Sequence, residues 1–289
     1  MRFGLNFSLL CFGAIGVAAA NLSGAQTIVT SDTPSAQLLN ETFQIDVGMF
    51  VLSQSTKASL QGQGTNNPQV NFNQAFGAGY NTERFRVDGL WRITERQHVE
   101  FMYFTNGISR SRTIPADDPV EWGNYAFSGD VTAKSRLSVY ELGYEYAFMK
   151  TPTFEWGAGA GIHYTKVKLE LDGNATVTNP DGTTTALMGT AKTASVPAPL
   201  PVLGTRAGWA FADNWVLDGQ VQLLGFSYDQ FHGHWWDVKA GVTYLFTQHI
   251  GVGAAYDSFT TQLSIEQSNF NGRLNLGYRG GMLFIRGAF

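Results

Sequence analysis

Around residue 230 the chain carries Asp229, His232, His234 and Asp237, with Gly233 between the two histidines. On an extended segment residues i and i+2 share a face, so the imidazoles could ligate one divalent cation from a loop. The same spacing suits a wet loop flanked by Tyr228, Phe231, Trp235 and Trp236, and no metal is expected. A second acidic position, Asp117-Asp118, lies in a polar stretch far upstream. Carboxylates facing an imidazole can activate a water if they come within hydrogen-bond reach. These residues by themselves define no catalytic set. The chain has no serine elbow, no glycine-rich phosphate loop and no Cys/His zinc pattern, so no cofactor is expected.

Those residues hang on a chain that alternates. Phe43, Ile45, Val47, Met49 and Val51 share one face against Gln44, Asp46 and Gly48. Phe85, Val87, Trp91 and Ile93 likewise oppose Arg84, Arg86, Asp88 and Arg92. Segments 140–148, 154–164, 215–223 and 236–246 repeat the pattern with a period of two, the mark of strands with one apolar face. Toward the end the apolar parity shifts from Leu274, Leu276 and Tyr278 to Leu283 and Ile285, which predicts a bulge at Gly280-Gly281. Short turns (94–97, 150–152, 212–214, 247–249) alternate with longer polar stretches (61–69, 109–127, 172–197, 229–235, 264–269). That count predicts ten strands. Twelve follow if the chain breaks at Gly79-Tyr80-Asn81 or turns at 278–281.

Composition limits what such strands can build. Charged residues are 15% of the chain, against roughly 25% in an average globular protein. Glycines number 33 and aromatics reach 13%. Net charge is −4, which gives no hint of nucleic acid as a partner. Met1-Arg2 precedes an apolar, small-residue run over 5–20 that ends on Ala18-Ala19-Ala20, with Ser23-Gly24-Ala25 beyond it. Residues 1–25 thus read as a secretory signal peptide cleaved after Ala20 or Ala25. Cys11, the single cysteine, falls inside it, so the exported chain has neither disulfides nor thiol chemistry. Residues 26–41, polar and without periodicity, are expected to be a flexible periplasmic lead-in. Beyond the signal, no apolar run approaches the length of about 18 residues that a membrane helix needs.

Sidedness follows from the aromatics. Trp91, Tyr144, Tyr146, Phe148, Trp156, Trp209, Trp215, Tyr244 and Phe246 gather at the short-turn ends, as in a membrane-interface girdle. Trp122, Tyr164, Tyr228 and Trp235 are candidates for the opposite girdle. The fold expected over 42–289 is all-β, a transmembrane antiparallel up-and-down β-barrel with short periplasmic turns and longer extracellular loops. Its other face then lines the interior. It collects Asp46, Arg84, Arg86, Asp88, Arg92, Glu100, Glu141, Glu145, Glu155, Arg206, Asp218, Asp237, Lys239, Asp257, Arg273, Arg279 and Arg286. Buried charge demands pairing, so a near-balanced set predicts a lumen plugged by ion pairs.

The closing stretch Arg279-Gly280-Gly281-Met282-Leu283-Phe284-Ile285-Arg286-Gly287-Ala288-Phe289 resembles the terminal strand of Gram-negative outer-membrane β-barrels. In that group the last aromatic, here Phe289, is an assembly signal. The resemblance implies export by the general secretory pathway to the outer membrane. It also implies partners in the barrel-assembly machinery, periplasmic chaperones, outer-membrane lipid and lipopolysaccharide. Arg86-Val87-Asp88-Gly89-Leu90-Trp91-Arg92, followed by Gln97-His98-Val99-Glu100, is similar to a group of uncharacterised proteobacterial barrels and brings no activity with it. The acidic and histidine positions loosely resemble omptin-family outer-membrane proteases, and that resemblance implies Asp117, Asp118, Asp229 and His232 as candidate catalytic residues. That family carries Asp-x-Asp and Asp-x-His, where this chain has Asp117-Asp118 and Asp229-x-x-His232. The function expected is a structural or surface-interaction barrel without enzymatic chemistry. A narrow small-solute channel and an omptin-like protease are the alternatives.

Overall fold

Strands with one apolar and one charged face can satisfy both by curling, and in the computed structural model the sheet closes on itself. The structure describes residues 30–61, 70–71, 82–228, 231–267 and 270–289. A short helix α1 (Pro34–Leu38) comes first, then β1 (Phe43–Gln61), β2 (Val70–Asn71), β3 (Thr82–Thr94), β4 (Gln97–Ile114) and β5 (Val120–Trp122). They are followed by β6 (Tyr125–Lys150), β7 (Phe154–Thr178), β8 (Thr184–Ala212), β9 (Trp215–Tyr228), β10 (Phe231–Leu245), β11 (Ile250–Gln267) and β12 (Phe270–Ala288). Ten of these strands make an antiparallel wall. The two short ones, β2 and β5, are additions that pair with β1 and β6. β12 returns to β1 over Gln44↔Ala288 to Gln61↔Asn271, so no edge is left at the chain's end. The last rung is Phe289 itself, exchanging N–H···O bonds of 2.7 and 2.9 Å with Phe43.

The side chains divide as alternation requires. Outward lie Leu142, Ile162, Leu217, Leu283 and Ile285, between 44 and 70% exposed. Around the short-turn end, Trp209, Phe211, Trp215, Tyr244 and Phe246 form a continuous ladder with ring centroids 4.9 to 6.4 Å apart. Apolar area that wide is incompatible with water and matches the belt and girdle of a membrane barrel. Tyr164 faces outward with Tyr140 and Tyr103. Trp122 and Trp235 do not: they are buried inside, because each falls on the inward parity of its strand. The side chain of Tyr228 lies outside the described residues.

Three expectations are corrected. First, β12 runs through Gly280-Gly281 in unbroken register with both neighbours, so there is no bulge. Leu276 and Tyr278 instead point inward with Met282 and Phe284, while Arg279 faces out and leaves the lumen. Gly280 answers a close approach, since a Cβ there would sit 2.1 Å from the Val51 carbonyl oxygen. Second, most of the polar stretch 172–197 is strand. β7 and β8 stay paired to Thr178↔Thr184 around a tight Asn179–Thr183 turn, in which Gly182 takes φ +81°. Threonines favour extended backbone, but strand rising clear of lipid has no reason to alternate in polarity. Third, residues 34–39 are no flexible lead-in. Thr33 caps α1 with Pro34 at its start, and Leu38 and Leu39 are buried against Ala210, Val216, Leu245 and Ala288. The apolar pair stoppers the periplasmic mouth.

Candidate functional site

The two sets of residues that could do chemistry fare differently. Asp117 and Asp118 are exposed at the turn between β4 and β5. His232 and His234 are exposed on the outward side at the start of β10. β6, β7, β8 and β9 separate the two places around the wall. Among the described residues no hydrogen bond or ion pair joins an aspartate of the first place to a histidine of the second. Asp229 lies outside the described residues. The two histidines do share a face, but among the described residues no third ligand is grouped with them.

The lumen holds the other set. Toward the periplasm, Arg286 grips Asp46 with two bonds of 2.6 Å and reaches Asp218 at 3.1 Å. Beside it, Arg92 donates to Glu155 at 2.8 Å and touches His98, whose Nδ1 lies 3.1 Å from Glu145. Arg206 ties this group together, reaching Glu100 at 2.6 Å, Glu145 at 3.1 Å and Glu155 at 3.0 Å. Gln220 bonds the other oxygen of Glu100 at 2.6 Å. Above, Arg86 forks onto Asp88 at 2.8 and 2.9 Å, also bonds Asp257, and shares Asp88 with Lys239 at 2.6 Å. Glu141 accepts from Gln222. Lys150 bridges Glu155 at 2.9 Å to the Leu39 carbonyl at 3.0 Å, which fastens the stopper to the lattice.

Several interior positions stand apart. Arg84 donates to the carbonyls of Glu83 and Gly107 rather than to a carboxylate. The side chain of Arg273 lies outside the described residues. Asp237 is buried with one oxygen unpartnered. With Arg279 outside, the described interior holds more carboxylates than cations. The residues that sequence reasoning left out of the network (His98, Gln220, Gln222 and Lys150) have the same inward parity or sit at the turn rim. Parity was the signal for them; polarity alone was not.

His98, Glu145 and Glu155 bring ligand atoms within 4.8 Å of one another, a spacing that suits a metal. Arg92 and Arg206 already donate to those carboxylate oxygens. Two guanidiniums on the same lone pairs leave this an ion-pair lattice, with charge-assisted bonds in place of coordination. A cavity of about 90 Å³ remains between the lattice and the Leu38-Leu39 stopper, lined also by Asp46, Glu141 and Asp218.

Above the lattice the interior turns apolar. Phe50, Phe104, Tyr278 and Phe259 pack edge-on or stacked at 4.9 to 5.5 Å, with Trp235 alongside Phe259. Arg86 lies 5.1 and 5.8 Å from the rings of Phe50 and Phe104, so a cation–π contact joins the layers. Higher still, Leu137, Val167, Leu169, Leu171, Val131 and Phe127 fill the barrel where it leaves the membrane. Stopper, ion lattice and aromatic layer follow one another along the bore.

No protein-family model and no curated protein matches the chain. Solved structures do. The outer-membrane protease OmpT from Escherichia coli is 12% identical, with 86% of this chain and 96% of that one covered and a TM-score of 0.56. The translocator domain of the autotransporter NalP from Neisseria meningitidis is 11% identical, with 86% and 89% covered and a TM-score of 0.42. The toluene transporter TodX from Pseudomonas putida is 10% identical, with 89% and 93% covered and a TM-score of 0.36. At these identities the likeness concerns architecture, and the chain has the fold of the Gram-negative outer-membrane β-barrels.

Proposed function

We propose that the protein is a non-conducting outer-membrane barrel that holds a tall β ribbon at the cell surface for contact with other molecules. The observation that carries this reading is the serial closure of the bore. A conduit needs a continuous wet path, and here a layer of paired charges is followed by a layer of packed rings. β6, β7 and β8 supply the ribbon. β8 has 29 residues, about 95 Å of strand at ~3.3 Å per residue, against the roughly 9–11 residues that cross a bilayer. Purified protein in planar bilayers is expected to give no unitary current steps. Stable conductance from the intact chain would defeat this reading.

Lipopolysaccharide is a partner that the outer wall supports. Lys134, Arg136, Lys166 and Lys168 project outward on β6 and β7 just above Tyr140 and Tyr164, with Glu170 pairing Lys134 at 2.7 Å. Cations at that level suit lipid phosphates. Export through the secretory route, and capture of Phe289 by the assembly machinery, belong to the same reading; removing Phe289 is expected to slow assembly without changing the folded barrel's spectrum. Hydrolysis is left out because, among the described residues, no hydrogen bond or ion pair joins Asp117 or Asp118 to His232 or His234.

A further inference from the structure

One stretch of the wall lacks strand pairing. β8 and β9 are paired from Ala212↔Trp215 up to Leu203↔Leu223, and their described pairing ends there. Beyond that point β8 continues along β7 to Thr178↔Thr184, while β9 continues along β10 to Phe231↔Tyr228. The two ribbons part at Leu203 and Leu223 and leave a notch between them.

The β8 side of this notch is built so that it does not close. Pro197, Pro199 and Pro201 occupy alternate positions, opposite Lys166, Tyr164 and Ile162 of β7. Successive residues of a strand aim their backbone groups at opposite edges, so residues two apart share an edge. The Pro201 carbonyl points away from β7, because it accepts the Trp235 indole N–H at 3.2 Å. The three prolines therefore stand where donors toward β9 would be, and they have none. The edge cannot zip onto β9. At Pro201, opposite the lipid-facing Ile162, it also leaves no N–H facing hydrocarbon, which would be costly in lipid.

Position and lining name the occupant. The base of the notch lies among lipid-facing residues, with Leu203 and Leu223 46 and 49% exposed and Tyr164 marking the interface beside Pro199. Behind it are Leu200, Val202 and Trp235, all buried, with Phe259 and His163 packed on the indole. Neither ring nitrogen of His163 has a partner among the described residues. A peptide strand would want donors that the prolines have removed. An acyl chain wants none, and it already lies against the outer surface of the same leucines.

We propose that the notch between β8 and β9 is a lateral portal by which an acyl chain of an outer-leaflet lipid enters the wall and packs on Trp235. The Trp235–Pro201 bond spans the opening and acts as its latch. The portal presupposes that the barrel is embedded in a membrane but is independent of whether the bore conducts.

The test uses the full exported chain in bilayers doped with a phosphatidylcholine that carries a diazirine near the end of one acyl chain. After irradiation, adducts are mapped by peptide mass spectrometry. Expected are adducts on the inward-facing Leu200, Val202 or Trp235 in addition to the lipid-facing belt, with the equally buried Phe50 and Phe104 unlabelled. A double variant, Val202→Cys with Leu224→Cys, places a disulfide one step beyond the last paired rung. Oxidation is expected to remove the Trp235 adduct and spare those on Leu142 and Leu217. Adducts confined to outward residues in the native protein would overturn the portal, as would inward adducts that persist in the sealed variant. The native map decides the matter even if the double variant does not fold.

Discussion

Arg206 is the residue on which most of the lattice converges, with Glu100, Glu145 and Glu155 all paired to its guanidinium. Removing one partner from a buried network leaves charge without compensation, at about 3–5 kcal/mol. Arg206→Ala is therefore expected to lower the unfolding midpoint in urea steeply, with Arg206→Lys intermediate because it keeps the charge but loses the fork. Asp237 is the converse case. It lies beside Asp257, and none of its described hydrogen bonds is to a cation. Asp237→Asn removes repulsion and keeps the shape, so its thermal midpoint is expected to equal or exceed the parent's; a loss like that of Arg206→Ala would show a missing role for the carboxylate. The inward charges were legible in sequence because alternation assigns each strand position to a face. The pairs were not. Which Arg meets which Glu depends on strands far apart in the chain, such as Arg286 with Asp46, 240 residues away.

At the scale of elements, α1 and the β7–β8 tip each carry a prediction. Leu38→Asp puts a charge into the stopper's contact with Val216 and Leu245 and is expected to release residues 30–41 to protease while the barrel stays resistant. Joint loss of both would mean that α1 is part of the folding core. At the tip, the Thr183 hydroxyl and amide donate to Asp181 at 2.6 and 2.9 Å and hold its carboxyl below the usual carboxylate range. A depressed folded value contributes stability above the unfolded one, ~3.9, and that contribution is lost as pH falls through the folded value. Protection of the Thr183 amide is expected to be flat at neutral pH and to drop only in acid, and Asp181→Asn should abolish the dependence. The turn itself was readable from Asn179-Pro180-Asp181-Gly182. The strands flanking it were not, since their pairing is sustained by threonine-rich backbone rather than by an apolar stripe. α1 was missed for a related reason: two leucines in a polar stretch show no period, and only the barrel's mouth gives them something to bury against.

For the whole molecule, the closure in series proposed above would make the layers redundant. Deleting residues 30–41 exposes the cavity below the ion lattice but leaves the aromatic layer in place. The shortened chain is thus expected to remain silent in planar bilayers, and current after that deletion alone would show that α1 is the gate. The strand period and the aromatic clustering determined by themselves that the chain makes a membrane barrel of ten or twelve strands, since those features act locally and lipid admits no other β architecture; that ten of them form the wall came from the pairing. What fills the barrel was decided only by tertiary structure. Inward parity states that a side chain enters the lumen, whereas closure and stagger set which residues become neighbours there. On that geometry depend the ion lattice, the ring stack above it and the unpaired edge beside Pro201.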